Sequence, residues 1–132
     1  MISCELGVGD KKMTNAEFRE SLEGRTTEFA VNVFKLLRNL PYDISVKIIS
    51  HQLGKSASSI GANYHEANRA ESKVDFSHKL SIALKEANET VYWFKVMVGL
   101  FGDSDEIKAL SQEAFELRNL LQRIVHSTKN NL

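Results

Sequence analysis

The chain has 132 residues, with 17 Lys and Arg against 17 Asp and Glu, one proline and one cysteine. That length predicts one domain with a sizeable core, and the exact cancellation of charge argues against a protein that coats nucleic acid by bulk phosphate neutralisation, which needs a basic excess. The lone Cys4 leaves no partner for an intrachain disulfide, and no apolar run approaches the roughly 20 residues of a membrane span, so a cytoplasmic protein with no membrane partner is expected.

Residues 1–13 hold Gly7, Gly9, Asp10, Lys11 and Lys12 and lack the basic-then-apolar order of a signal peptide, which predicts a flexible leader. Thr14 and Glu17 then form a capping box, in which the hydroxyl closes the first turn and the carboxylate reaches back. Behind it Phe18, Leu22, Phe29, Val33, Leu36, Leu37 and Leu40 recur at largely helical spacing. Pro41 ends this helix, because proline disfavours helical geometry in the residue before it. Asp43 is the expected cap of a second helix, with Val46, Ile49, Leu53, Ile60, Tyr64 and Ala67 on one face.

A third helix is predicted from Ser72, with Asp75 reciprocal to it and Phe76, Leu80, Ala83, Ala87, Val91, Phe94 and Val98 as its stripe. The run Val96–Phe101 reads as the buried end of that helix, weakened by Gly99 and Gly102. Asp103 and Glu106 repeat the capping pattern before Ile107, Leu110, Ala114, Leu117, Leu121 and Ile124. Short connectors between four such stripes predict an all-α, antiparallel, up-down-up-down four-helix bundle over residues 14–128, with 129–132 as a tail.

Several local patterns carry candidate chemistry. The second helix concentrates Ser56, Ala57, Ser58, Ser59, Gly61 and Ala62, although Gly61 costs about 1 kcal/mol relative to alanine in mid-helix. The pairs Ala57/Gly61 and Ser58/Ala62 form two small-residue ridges, suited to close approach of another helix or of a second subunit. Asp75 with Lys79, and Glu66 with Arg69, have the spacing of intrahelical ion pairs. Asn63, Tyr64, Glu66 and Glu71 near one corner, and Glu86, Glu89 and Tyr92 further on, are expected to form a polar network that fixes register or subunit contacts. Tyr92, Trp93 and Phe94 are consecutive and span about 200° of helix surface, so they cannot all face one core.

Other patterns fail on chemistry. Gly54, Lys55 and Ser56 imitate the end of a phosphate-binding loop, but Ile49 stands where its first glycine belongs and no strand precedes it. Asp75 and His78, with Glu71 nearby, have no second Glu-x-x-His motif to complete a bundle metal centre. Asn88, Glu89 and Thr90 match a glycosylation acceptor by coincidence. No catalytic residue, metal or cofactor is expected.

One charge feature points to a partner. Between Ile44 and His65 there is no acidic residue, and Lys47, His51 and Lys55 fall at four-residue steps, a small basic row suited to weak phosphate contact.

Gln52, Leu53, Ser59, Ile60, Gly61, Ala62, Asn63, Tyr64, Glu66, Ala67, Asp75, Phe76, Lys79, Leu80, Ala83, Leu84, Lys85, Glu86, Ala87, Glu89, Thr90, Tyr92 and Trp93 together resemble the bacterial four-helix-bundle proteins encoded by intervening sequences in large-subunit ribosomal RNA genes. The accessory proteins of diversity-generating retroelements are more distantly similar. The resemblance covers about residues 15–127. It implies a four-helix bundle and a homopentameric ring; the retroelement relatives, unlike this neutral chain, are basic and bind nucleic acid and a reverse transcriptase. The function expected is a non-enzymatic oligomeric module that docks RNA or DNA weakly, or another protein. The alternatives are a protein-only adaptor and a metal-dependent bundle enzyme.

Overall fold

A computed structural model describes residues 12–131. The predicted leader falls mostly, and Cys4 wholly, outside the described residues. Four helices follow one another: α1 (Asn15–Arg38), α2 (Ile44–Asn68), α3 (Lys73–Phe101) and α4 (Asp105–Asn130). Their short connectors force each helix antiparallel to the one before it. Each packs on its chain neighbours, α2 and α3 most extensively, and a thin α1–α4 contact closes the four-helix bundle. Among the described residues no helix is long and apolar enough to cross a membrane.

The helix starts follow cap chemistry. Thr14 Oγ1 accepts the Glu17 amide and donates to the Glu17 carboxylate, each at 3.1 Å. Asp43 Oδ1 accepts the Val46 amide at 2.8 Å and Ser72 Oγ the Asp75 amide at 3.0 Å. The fourth cap differs from expectation. Ser104, not Asp103, accepts the Ile107 amide, which places Asp105 and Glu106 in the first turn facing the positive end of the helix dipole. Gly102 ends α3 at φ 83°, ψ −178°, a backbone conformation open essentially to glycine alone.

The core runs the length of the bundle. All six predicted stripe residues of α2 and all six of α4 are buried. On α3, Phe76, Val91 and Val98 lie at the margin, and Met97, Ser77 and Thr90 take buried places instead. The run Val96–Phe101 is buried only at its start: Met97 lies in the core, whereas Leu100 is 49% and Phe101 36% exposed.

The two small-residue ridges separate. Ala57 and Gly61 are buried, whereas Ser58 is half-buried and Ala62 exposed. At Gly61, α1 approaches so closely that an added Cβ would lie 2.9 Å from Thr26 Oγ1 and 3.1 Å from Thr26 Cβ. Rotation can move the hydroxyl but not Cβ, which is fixed to the α1 backbone. The contact at Gly54, about two turns earlier on α2, is softer: the Phe34 ring edge rests 3.0 Å from the same notional atom.

Thr26 and Gly61 therefore set the α1–α2 separation, and a matched pair of substitutions tests it. Gly24→Ala meets nothing within 4 Å and should stabilise by about 0.5–1 kcal/mol through helix propensity. Gly61→Ala should forfeit that gain, and Gly61→Leu should destabilise by about 1–3 kcal/mol through overpacking. Urea denaturation of the three variants supplies the comparison; equal gains at Gly24 and Gly61 would show that α1 can move away freely.

Candidate interaction surface

Several polar clusters cross between helices, and none was visible as a local sequence pattern. On the α1–α2 seam, Glu23 accepts from Asn68 Nδ2 at 2.8 Å and from Arg69 Nη1 at 3.0 Å, with His65 Nε2 at 3.4 Å. His65 Nδ1 lies 2.7 Å from the Gly61 carbonyl, which can only accept, so that nitrogen carries a proton. Hydrogen bonding from Arg69 leads the causes that hold Glu23 below its usual carboxylate value, against an opposing desolvation cost. On the α1–α4 seam, Arg25 grips Glu113 with both forks at 2.8 and 2.7 Å, and this bidentate bond raises the Arg25 pKa. Between α2 and α3, the buried Thr90 hydroxyl lies 3.0 Å from Ser56 Oγ and 2.8 Å from the Glu86 carbonyl.

These clusters correct two sequence pairings. Lys79 meets Glu66 across the helix corner at 3.1 Å rather than Asp75, and Arg69 turns to Glu23 rather than to Glu66. In both cases a carboxylate on a neighbouring helix takes a cation that local spacing assigned to the same helix.

The remaining motif residues are spread over the bundle. Tyr64 is buried, and Asn63 is half-buried and bonds locally, its Nδ2 donating to the Ser59 carbonyl at 2.8 Å. Glu71 is exposed and Asp75 half-buried at the α2–α3 corner. Phe94 enters the core, Trp93 is half-buried, and Tyr92 is 58% exposed with its ring edge-on to Trp93 at 5.1 Å. Glu86 is half-buried; desolvation raises its pKa first and Glu89 second, while Lys55 and Lys85 pull it back.

Lys47, His51 and Lys55 all stand exposed on α2, and none joins a salt bridge among the described residues. Ile44 and Ile48, 72% and 52% exposed, interleave with this row at helical spacing. Phe34 and Val31 of α1 are also close to half exposed, and Phe34 leans on α2 at Gly54. The outward α1–α2 face is thus both basic and apolar. Leu100 and Phe101 stand exposed at the α3–α4 turn, next in sequence to the acidic Asp103, Asp105 and Glu106, whereas Phe115, further along α4, has the Arg118 guanidinium 4.9 Å over its ring. Among the described residues no group of three His, Cys, Asp or Glu side chains could hold a metal ion.

Four long antiparallel helices around one apolar core define the class, an all-α four-helix bundle. The model of the family described as 23S rRNA-intervening sequence protein matches residues 9–123, and the chain belongs to that family. It is also similar to a crystal structure at 1.70 Å resolution of a protein from the S23 ribosomal protein family of Bacteroides thetaiotaomicron, whose function is given as unknown. The two are 34% identical, the match covers 82% of this chain and 97% of that one, and the TM-score is 0.74. No curated protein matches the chain.

The Glu23 cluster gives a signed pH dependence. A carboxylate held below its unfolded value contributes stability that is complete above that value and is lost as pH falls through the folded one. Glu23→Gln should therefore cost about 1 kcal/mol near pH 7, as for a partly exposed ion-pair network, and the gap from the parent should close under acid. Denaturation midpoints across an acid-to-neutral series provide the readout, and a gap that persists in acid would contradict it. Glu86 has the opposite sign: its raised value opposes folding once ionised, so Glu86→Gln should stabilise the isolated chain at neutral pH.

Proposed function

We propose that the chain is a non-enzymatic, self-associating bundle module that assembles as a homopentameric ring and presents the Lys47, His51 and Lys55 row to an anionic partner, RNA or DNA. The observation that carries self-association is apolar surface left bare on two different sides of the bundle: Val31, Phe34, Ile44 and Ile48 on α1 and α2, and Leu100 and Phe101 at the α3–α4 turn. Contact between two different sides is head-to-tail, and it closes into a ring when the rotation between copies permits. The count of five rests on the family resemblance.

Docking of nucleic acid rests on the unpaired row and on repetition. One copy offers a small electrostatic footprint, but a ring repeats it in each subunit and converts weak contacts into avidity. Glu86 tempers the row by sharing the field of Lys55. Overall neutrality keeps the expected binding weak at physiological salt. A protein-only adaptor is the second reading, favoured by the same neutrality and by the exposed Tyr92.

Light scattering at micromolar concentration should give five times the 14.9 kDa chain mass, and Ile48→Glu together with Phe34→Glu should reduce it toward the monomer; a monomeric parent would overturn the assembly. Binding to RNA and DNA should be tolerant of sequence and weaken steeply with salt, and Lys47→Glu/Lys55→Glu should weaken it further. If neither nucleic acid binds even at low ionic strength, the adaptor reading replaces the nucleic-acid one.

A further inference from the structure

The outward side of α3 carries an open groove of about 700 Å³, bordered by Gln52 of α2 and by Lys129 of α4. Sites that hold a small molecule span roughly 300–1,000 Å³. The apolar part of the groove is Leu84 with the rings of Tyr92 and Trp93. The two rings stand at 78° with centroids 5.1 Å apart. Such a corner accepts a third flat ring, stacked on one and edge-on to the other. Tyr92 is 58% exposed, so the bundle core does not account for an aromatic at this place.

Charge and hydrogen bonding narrow the occupant. Lys85 and Lys129 line the groove against one acid, Glu89, and none of the three joins an ion pair among the described residues. The two cations suit phosphates. Glu89 repels a phosphate but accepts from the amino group of a nucleobase, as acidic side chains do from that of cytosine. The Gln52 side chain is exposed and makes no hydrogen bond among the described residues, so its amide is free for the same base edge. Gln52 follows His51 in the chain, and Lys55 lies close enough to Glu86 of α3 to act on its charge. The groove therefore adjoins the Lys47, His51 and Lys55 row, and one strand can reach both.

Flat rings, backbone phosphates and unpaired amino edges occur together in single-stranded nucleic acid. A duplex hides its ring faces in the stack and its amino groups in pairs. We infer that the α3 groove holds an unpaired, amino-bearing base of single-stranded RNA or DNA, stacked between Tyr92 and Trp93 with Glu89 on its amino group and Lys85 and Lys129 on its phosphates. This rests on the proposed docking of nucleic acid and names its form: the α2 row holds phosphates of any strand, and the α3 groove selects strands with free bases.

Fluorescence anisotropy at low ionic strength compares a short labelled RNA of mixed sequence, alone and paired with its complement. The single strand should bind about tenfold more tightly, although the duplex is more densely charged. Tyr92→Ala, at an exposed position, should remove that advantage and leave duplex binding unchanged, whereas Lys47→Glu/Lys55→Glu should weaken both. Oligocytidylate should bind about threefold more tightly than oligouridylate, whose one ring N–H stands between two carbonyls that repel a carboxylate. Glu89→Gln should bring the two together. In NMR spectra the Trp93 indole N–H and the Gln52 side-chain amide should shift with the single strand and not with the duplex.

The inference is overturned if strand and duplex bind alike and Tyr92→Ala changes nothing; weakening by the row variant alone would then leave the α2 reading standing. If no nucleic acid binds, both fall. If single strands move the groove signals and bind the row variant as tightly as the parent, the groove stands and the row falls. If the Trp93 signal moves on dilution of the protein alone, a second copy covers the groove and the inference is overturned.

Discussion

The spacing of α1 and α2 is decided at one point, where Thr26 meets the bare backbone of Gly61. Placing a glycine in mid-helix sacrifices propensity, and the return is an approach that a methyl group would block. The consequence reaches well beyond the two residues. With α1 held this close, Glu23 comes within reach of His65, Asn68 and Arg69, one turn further toward the bundle end. Phe34 settles on Gly54 and is left with its outer surface bare. The seam, the charge cluster and the exposed apolar face thus share a single geometric origin.

The opposite side of the bundle is built differently. α1 and α4 have the thinnest contact, and a planar, two-pronged bond between Arg25 and Glu113 reinforces it. Such a bond constrains orientation more than a point charge can, so lysine at position 25 would keep the charge and lose the alignment. The ring of four helices therefore has one seam set by close steric contact and one reinforced by directional hydrogen bonding.

Most of the architecture was legible in the sequence because it is written at short range. Apolar residues three and four apart marked the buried faces, and Thr14, Asp43 and Ser72 marked the helix starts by cap chemistry alone. The fourth start was misplaced by one residue because Asp103 and Ser104 both make acceptable caps and only tertiary packing distinguishes them. The polar clusters were not legible. Glu23 lies more than forty residues from Arg69, and no spacing rule relates them; the local rule instead assigned Arg69 to Glu66 and Lys79 to Asp75. The buried Thr26 and Thr90 were missed for a related reason, since their hydroxyls bond to the helix's own carbonyls or to a neighbouring hydroxyl and become compatible with a core. The basic row was readable as a pattern, whereas the isoleucines between its members acquire meaning only once α1 is seen beside them.

The aromatic pair on α3 has an optical consequence. Trp93 is the chain's only tryptophan, and it sits at the margin of the core with the Tyr92 ring against it, near enough for excitation of the tyrosine to pass to the indole. Its emission therefore reports on a single place on the molecule. Burial of that side of α3 by another macromolecule moves the indole from a partly aqueous setting to a dry one and shifts the emission to the blue. Events confined to the α1–α2 face leave it unchanged. The protein carries its own label for telling which of its sides a partner has covered.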